Sequence, residues 1–132
     1  MTNLELMQAA AEARKTAYAP YSHFLVGAAL LTADGRVYTG CNVENAAYTP
    51  TNCAERTAFF KAVSEGVRNF EAIAIVGGPR DGACGACTPC GVCRQVMSEF
   101  CNEDFRILWG SPDNFTACRL GDLLPLAFDM KG

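Results

Sequence analysis

Apolar positions in this chain recur first with a helical period and then in short runs, and each change of period marks an element. Leu4, Met7 and Ala11, with residues 14–17 following, predict a helix over residues 2–18 that Thr2 or Asn3 can cap. The segment Tyr18-Ala-Pro-Tyr-Ser22 breaks it, because Pro20 bars its predecessor from helical backbone. Phe24–Leu31 and Val37–Val43 are apolar runs joined through Ala33-Asp34-Gly35, the strongest hairpin signal in the sequence. A turn-rich loop over Glu44–Asn52 leads to a helix over Cys53–Ser64, with Ala58, Phe59, Ala62 and Val63 on its buried side and Gly66 as its stop. Ala72–Val76 is continuously apolar, as a strand covered on both faces would be. After a loop rich in Gly and Cys over Gly77–Thr88 come a helix over Gly91–Phe100, short strands over Phe105–Trp109 and Phe115–Cys118, and a short helix or turn at Leu123–Leu126. Helices interleaved with strands predict an α/β sheet with helices on its faces.

The length of 132 residues suits a single domain spanning 1–132. Half the residues are apolar and 19% charged, enough for a core with apolar surface left for a partner subunit. Eleven basic against fourteen acidic side chains give a net charge of −3, so no nucleic-acid partner is expected. No stretch reaches the length of a membrane span, so no membrane partner is expected either. Eight cysteines raise the question of a disulfide framework. With Glu5, Glu12, Arg14 and Lys15 spread along the first twenty residues no secretory leader is visible, so the expected compartment is cytoplasmic and the thiols are expected to serve metal or redox chemistry. The single histidine, His23, is assigned no role.

Two short segments carry that chemistry. Cys53-Ala-Glu-Arg56 and Pro89-Cys-Gly-Val-Cys-Arg94 each open a predicted helix. Helix N-termini favour thiolates, and Cys90 and Cys93 at a spacing of three converge on one point. Cys53 would complete a three-thiolate zinc site whose fourth tetrahedral position stays open, the catalytic rather than the structural arrangement. Glu55 could face the open position as a proton carrier. A Cys-x-Glu followed by Pro-Cys-x-x-Cys is the zinc deaminase signature.

With these residues in this order, the chain resembles the small homotetrameric cytidine deaminases of pyrimidine salvage. The match runs through Tyr18-x-Pro-Tyr-Ser22-x-Phe24, Val26-Gly-Ala-Ala29, Gly40-Cys-Asn42-Val-Glu44-Asn-Ala46, Asn52-Cys-Ala-Glu-Arg-Thr57, Pro89-Cys-Gly-x-Cys-Arg-Gln95 and Leu123-Leu-Pro125, from about residue 18 onward. The resemblance implies a three-layer α/β/α sandwich around a mixed five-stranded sheet. It implies one Zn²⁺ per subunit on Cys53, Cys90 and Cys93, and hydrolysis of cytidine and 2′-deoxycytidine to uridine and 2′-deoxyuridine with release of ammonia. Glu55 would move protons to ring N3 and then to the departing amine. Asn42 and Glu44 would bind ribose hydroxyl, Phe24 would pack near the ring, the Ala54 amide would meet the base carbonyl, and the Thr88 carbonyl would receive the 4-amino group. Ala46, Tyr48 and Phe128 would reach sites of neighbouring subunits in a homotetramer. Three thiolates leave a zinc site at net −1, and Arg56 would withdraw part of that charge through the sulfurs.

Taken singly, several of these residues have plainer readings. Phe24 and Phe128 would be core aromatics, Tyr48 is balanced between packing and site, and Asn42 and Glu44 could simply end a strand. Cys84 and Cys87 lie outside the deaminase pattern. With Cys90 and Cys93 they resemble half of a ferredoxin-type cluster motif, but the last gap differs and no proline follows Cys93. They are expected to be spare thiols, with a second metal or a disulfide as alternatives. Cys41, Cys101 and Cys118 are expected in the core. Two rival functions stay open at this stage: a deaminase of the same fold with another substrate, and a non-catalytic zinc or iron–sulfur module on Cys84–Cys93.

Overall fold

Alternate residues of β1, Phe24–Thr32, face two different helical layers, and the molecule is built outward from that strand. A computed structural model describes residues 1–131. Its elements run α1 (Asn3–Ala13), a 3₁₀ turn (Arg14–Thr16), β1, β2 (Val37–Cys41), α2 (Ala54–Ser64), β3 (Phe70–Pro79), α3 (Gly91–Phe100), β4 (Arg106–Ser111), β5 (Asn114–Arg119) and α4 (Leu120–Leu123). One five-stranded sheet has the order β2-β1-β3-β4-β5. Only β3 and β4 pair parallel, across the α3 connection, so the sheet is mixed. Helix α1 covers one face, where Leu6, Met7 and Ala10 meet Ala29, Leu31, Ala72, Ala74, Val76 and Leu108. Helices α2 and α3 cover the other, where Ala58, Phe59, Ala62, Cys93 and Met97 meet Ala28, Leu30, Ile73, Ile75 and Ile107. The three expected layers are therefore present.

Burial of every residue from Ala72 to Gly78 explains why β3 reads as a continuous apolar run. Phe59 anchors the α2 side, with ring centroids 5.1 Å from Phe70, 6.2 Å from Phe100 and 6.0 Å from Phe105. Thr2 caps α1 in a reciprocal box with Glu5, as its sequence position allows.

Several details differ from the sequence reading. Leu4 is exposed, and α1 buries a stripe through Leu6, Met7 and Ala10. The flanking alanines make both stripes apolar, so hydrophobicity alone does not choose between them. The helix tightens at Arg14, whose Nε donates to Leu25 O at 2.8 Å and Nη2 to Gly78 O at 2.9 Å, tying the turn to β1 and β3. Val63 is half-buried at the edge of the α2 contact. Cys41 is half-buried beside the Thr16 hydroxyl and belongs to neither core, whereas Cys101 and Cys118 pack partly buried against the α2–α3 side. The last helix begins at Leu120, where the Asp122 carboxylate accepts from the Arg119 amide at 3.1 Å.

Candidate active site

Both cysteine segments open helices. Cys53 is the N-cap of α2 and Cys90 the N-cap of α3, with extended backbone at both, and Cys93 lies in the first turn of α3. The position of the α2 start depends on Gly40 in β2. A Cβ there would lie 2.5 Å from Ala54 O and 2.6 Å from Ala58 N, so only glycine lets the first turn of α2 rest on the strand. The two N-termini then bring the Cys53, Cys90 and Cys93 sulfurs within 4.8 Å of one another, with Cys90 and Cys93 at 3.5 Å.

This donor set fits zinc. Tetrahedral thiolate coordination at about 2.3 Å places neighbouring sulfurs about 3.8 Å apart. Among the described residues the cluster stays at three, which leaves a coordination position open. The Arg56 guanidinium donates to the Cys53 sulfur at 2.9 Å, while its buried Nε has no partner among the described residues. Hydrogen bonding from Cys93, helped by Arg56, outweighs burial and pulls the Cys53 thiol down to about 5. Cys93, the donor of that bond, is pushed up in turn. One proton thus has to leave this group before the rest, as a thiolate ligand set requires.

Glu55 follows Cys53 by two residues and is only 5% exposed. Burial raises its carboxyl to about 7, with the nearby Cys53 sulfur adding repulsion. A carboxyl with that value can both take and give a proton near neutrality.

A cavity of about 220 Å³ opens over this cluster. Of the residues singled out in the sequence, Asn42, Glu44, Cys53, Ala54, Glu55, Thr88 and Cys90 line it. The pairing of Val43 with Asn52, two backbone hydrogen bonds of 3.0 and 2.9 Å, ties the segment after β2 to the residue before Cys53. Asn42 spends one amide hydrogen on Phe24 O at 2.9 Å and accepts from Val26 N at 2.8 Å. Glu44 accepts from the Tyr21 and Ser22 amides at 3.0 and 3.1 Å and from the Ser22 hydroxyl, which hold its carboxyl below the usual range. Asn42 keeps an amide hydrogen and an Oδ1 lone pair, and Glu44 keeps one lone pair. The Tyr18–Ser22 segment therefore serves to hold Glu44.

Phe24 is 40% exposed and lies just outside the cavity lining. Ala46, Tyr48 and Phe128 do not reach this cavity within the chain. Tyr48 lies on the outer side of Glu44 in a smaller depression, and Phe128 lies over α3, its carbonyl accepting from Gln95 at 3.0 Å. Sequence reasoning gave no site role to Val26, Thr51, Asn52 and Cys87, which also line the cavity. Arg94 follows Cys93 directly. Its Nε donates to Pro89 O at 2.7 Å and its Nη1 to Leu123 O at 2.8 Å, fixing the turn that presents Cys90.

Cys84 and Cys87 separate at the end of β3. A Cβ on Gly77 would meet the Cys87 sulfur at 2.6 Å, and one on Gly78 would meet the Cys84 backbone at 2.9 Å. Consecutive strand residues point to opposite faces, so the two thiols flank the sheet. Both are free thiols, and among the described residues the sulfurs that converge are those of Cys53, Cys90 and Cys93 without them. Burial pushes the Cys87 thiol up to about 11.

The sequence model for the cytidine and deoxycytidylate deaminase zinc-binding region matches residues 1–108. A cytidine deaminase of Sporosarcina psychrophila is 51% identical over 96% of this chain and 91% of its own length. One of Halalkalibacterium halodurans is 49% identical over 93% and 91%. The crystal structure of cytidine deaminase from Burkholderia pseudomallei superposes with a TM-score of 0.89 at 50% identity, covering 97% of this chain and all of that one. The chain therefore belongs to the cytidine and deoxycytidylate deaminase family and is a hydrolytic deaminase built around a zinc-binding region.

Proposed function

We propose that this protein converts cytidine and 2′-deoxycytidine, with one water, to uridine and 2′-deoxyuridine plus ammonia, and serves pyrimidine salvage in the cytoplasm. The observation that carries this reading is the buried Glu55 carboxyl beside three convergent sulfurs at the floor of a cavity whose polar side is Asn42 and Glu44. Held by Cys53, Cys90 and Cys93, one zinc per chain would supply Lewis acidity that lowers the pKa of a water. The remaining work belongs to the chain. Glu55 takes one proton of the attacking water and passes it to ring N3; it then takes the remaining proton, from the hydroxyl now on C4, and gives it to the amine, so that the C4–N bond breaks, ammonia leaves and the C4 carbonyl forms. The Ala54 amide holds the base carbonyl and the Thr88 carbonyl accepts from the 4-amino group. The free valences of Asn42 and Glu44 meet the ribose hydroxyls, and Phe24 packs against the base. Arg56 withdraws charge from the Cys53 sulfur, keeping the metal electrophilic.

We infer further that residues 1–132 act as one domain within a homotetramer, in which Ala46, Tyr48 and Phe128 complete neighbouring sites. Supporting this are the exposures of Tyr48 (82%), Phe128 (68%) and Leu126 (100%), large apolar groups that an isolated chain would leave in water. A cavity of about 220 Å³ is also smaller than the range of about 300–1,000 Å³ usual for small-molecule sites, as expected of one finished by a neighbour. Among the described residues no helix is long and apolar enough to cross a membrane. Nothing in the charge balance of −3 favours a polynucleotide, whose binding rests on neutralising phosphates. The test is ammonia release from a panel of cytidine, 2′-deoxycytidine, cytosine and a short single-stranded DNA, with light scattering for the assembly. Turnover of the two nucleosides by a particle of four chains is the expected result. Turnover of cytosine or DNA alone, or full activity from a monomer, would contradict it.

A further inference from the structure

We propose that Cys87 sets the width of the cavity beside the reacting carbon, and so decides which substituents at C5 of the cytosine ring are accepted. The inference rests on the reading of the cavity as a cytidine site. Gly77 leaves a notch in β3. The missing side chain there is replaced by two others: a Cβ would lie 2.6 Å from the Cys87 sulfur and 3.2 Å from Phe24 Cε2. Gly77 pairs with Val26 across β1 and β3, so both point to the face that carries α2 and Glu55. Cys87 and Val26 therefore form the apolar part of the lining near the cluster, with Phe24 just outside it.

Cytosine chemistry orients the ring against that lining. The carbon losing its amine, C4, has two ring neighbours, N3 and C5. N3 must gain a proton during the reaction, so its edge belongs beside Glu55, the buried proton carrier. A ring nitrogen pressed against the Cys87 thiol and the Val26 side chain would lose its hydrogen bonds to water with little return, because a thiol is a weak donor. The C5–H edge has no hydrogen bond to lose and fits the apolar side. A substituent on C5 would then be directed at the Cys87 sulfur. That sulfur cannot retreat, because its back already fills the Gly77 notch. The polar end of the cavity, at Asn42 and Glu44, is reached by the sugar and is independent of this contact.

Wild type, Cys87→Ala and Cys87→Leu, at equal zinc content, are assayed with cytidine, 5-methylcytidine and 2′-deoxycytidine. Removing the sulfur makes room for a methyl group, so the ratio of kcat/KM for 5-methylcytidine to that for cytidine rises about tenfold in Cys87→Ala; it falls by a similar factor in Cys87→Leu. The ratio of 2′-deoxycytidine to cytidine stays within about twofold in both, whereas a purely structural residue would lower all three substrates together. If Cys87→Leu loses its circular dichroism spectrum, Cys87→Ala, which deletes one heavy atom, decides alone. An unmoved 5-methyl ratio with cytidine turnover present overturns the role of Cys87 and leaves the deaminase reading standing. A 2′-deoxycytidine ratio that moves by the same factor as the 5-methyl ratio overturns it equally. A wild type that turns over none of the three overturns the deaminase reading, and this inference with it.

Discussion

The Arg56 guanidinium sits 2.9 Å from the sulfur of Cys53, one α-helical turn away on the same helix. This contact places a fixed positive charge against a site that three thiolates would otherwise leave at net −1. Arg56→Gln keeps a donor at the position but removes the charge. Turnover of cytidine is expected to fall about 10–100-fold, the usual cost of losing a partner of a metal ligand, with the fold intact. Steady-state kinetics with zinc analysis check this, and an unchanged kcat at equal zinc would contradict it.

Gly40 is where the strand gives way to the helix that carries Cys53 and Glu55. Gly40→Ala drives a methyl group into two backbone atoms of α2, which cannot turn aside. Overpacking of this kind costs about 1–3 kcal/mol. Urea unfolding should show that loss, and turnover should fall as well because the first turn of α2 shifts. Gly66→Ala, where a Cβ meets nothing within 4 Å, tests a different cost, since its φ of +95° penalises any side chain through the backbone alone.

Glu55 also predicts a pH effect on the metal-free protein. Burial raises its carboxyl to about 7 from the ordinary 4.5, so the folded state holds its proton more tightly than the unfolded chain. Its contribution is then fully present below about pH 4.5 and is lost as pH rises towards 7, the reverse of a salt-bridged carboxylate. The full loss is on the order of 3 kcal/mol. Cys53, lowered to about 5, slopes the other way as pH falls through that window, so the informative quantity is a difference between two proteins. The Tm of metal-free Glu55→Gln minus that of wild type should increase between pH 5 and pH 7.5. A flat difference would mean that Glu55 is not buried as described.

The elements and the metal cluster were legible in the sequence because both depend on local features. Caps, turns and apolar periods act within a few residues, and thiols at two helix starts announce themselves by spacing. What was not legible depends on contacts between distant segments. The carboxylate of Glu44 is held by the amides of Tyr21 and Ser22, a pairing supported by the Tyr18–Val43 bridge between distant segments. Cys87 enters the cavity, and Cys84 leaves it, because of the face on which each meets β3, which no spacing rule supplies. The buried stripe of α1 is not legible either, because two stripes are similarly apolar and the sheet selects one of them. Tyr48 and Phe128 are exposed here, so no packing within the chain explains them.

The most direct measurement is cytidine turnover by Glu55→Gln, with zinc counted in the same sample. Glutamine preserves the shape of the side chain and leaves the three sulfurs untouched, but it can neither take nor give the proton. Zinc should remain at about one per chain while kcat falls by about 10²–10⁴-fold, the range supplied by a positioned acid–base group. A variant that keeps its zinc and turns over cytidine at the full rate would contradict the central role of Glu55.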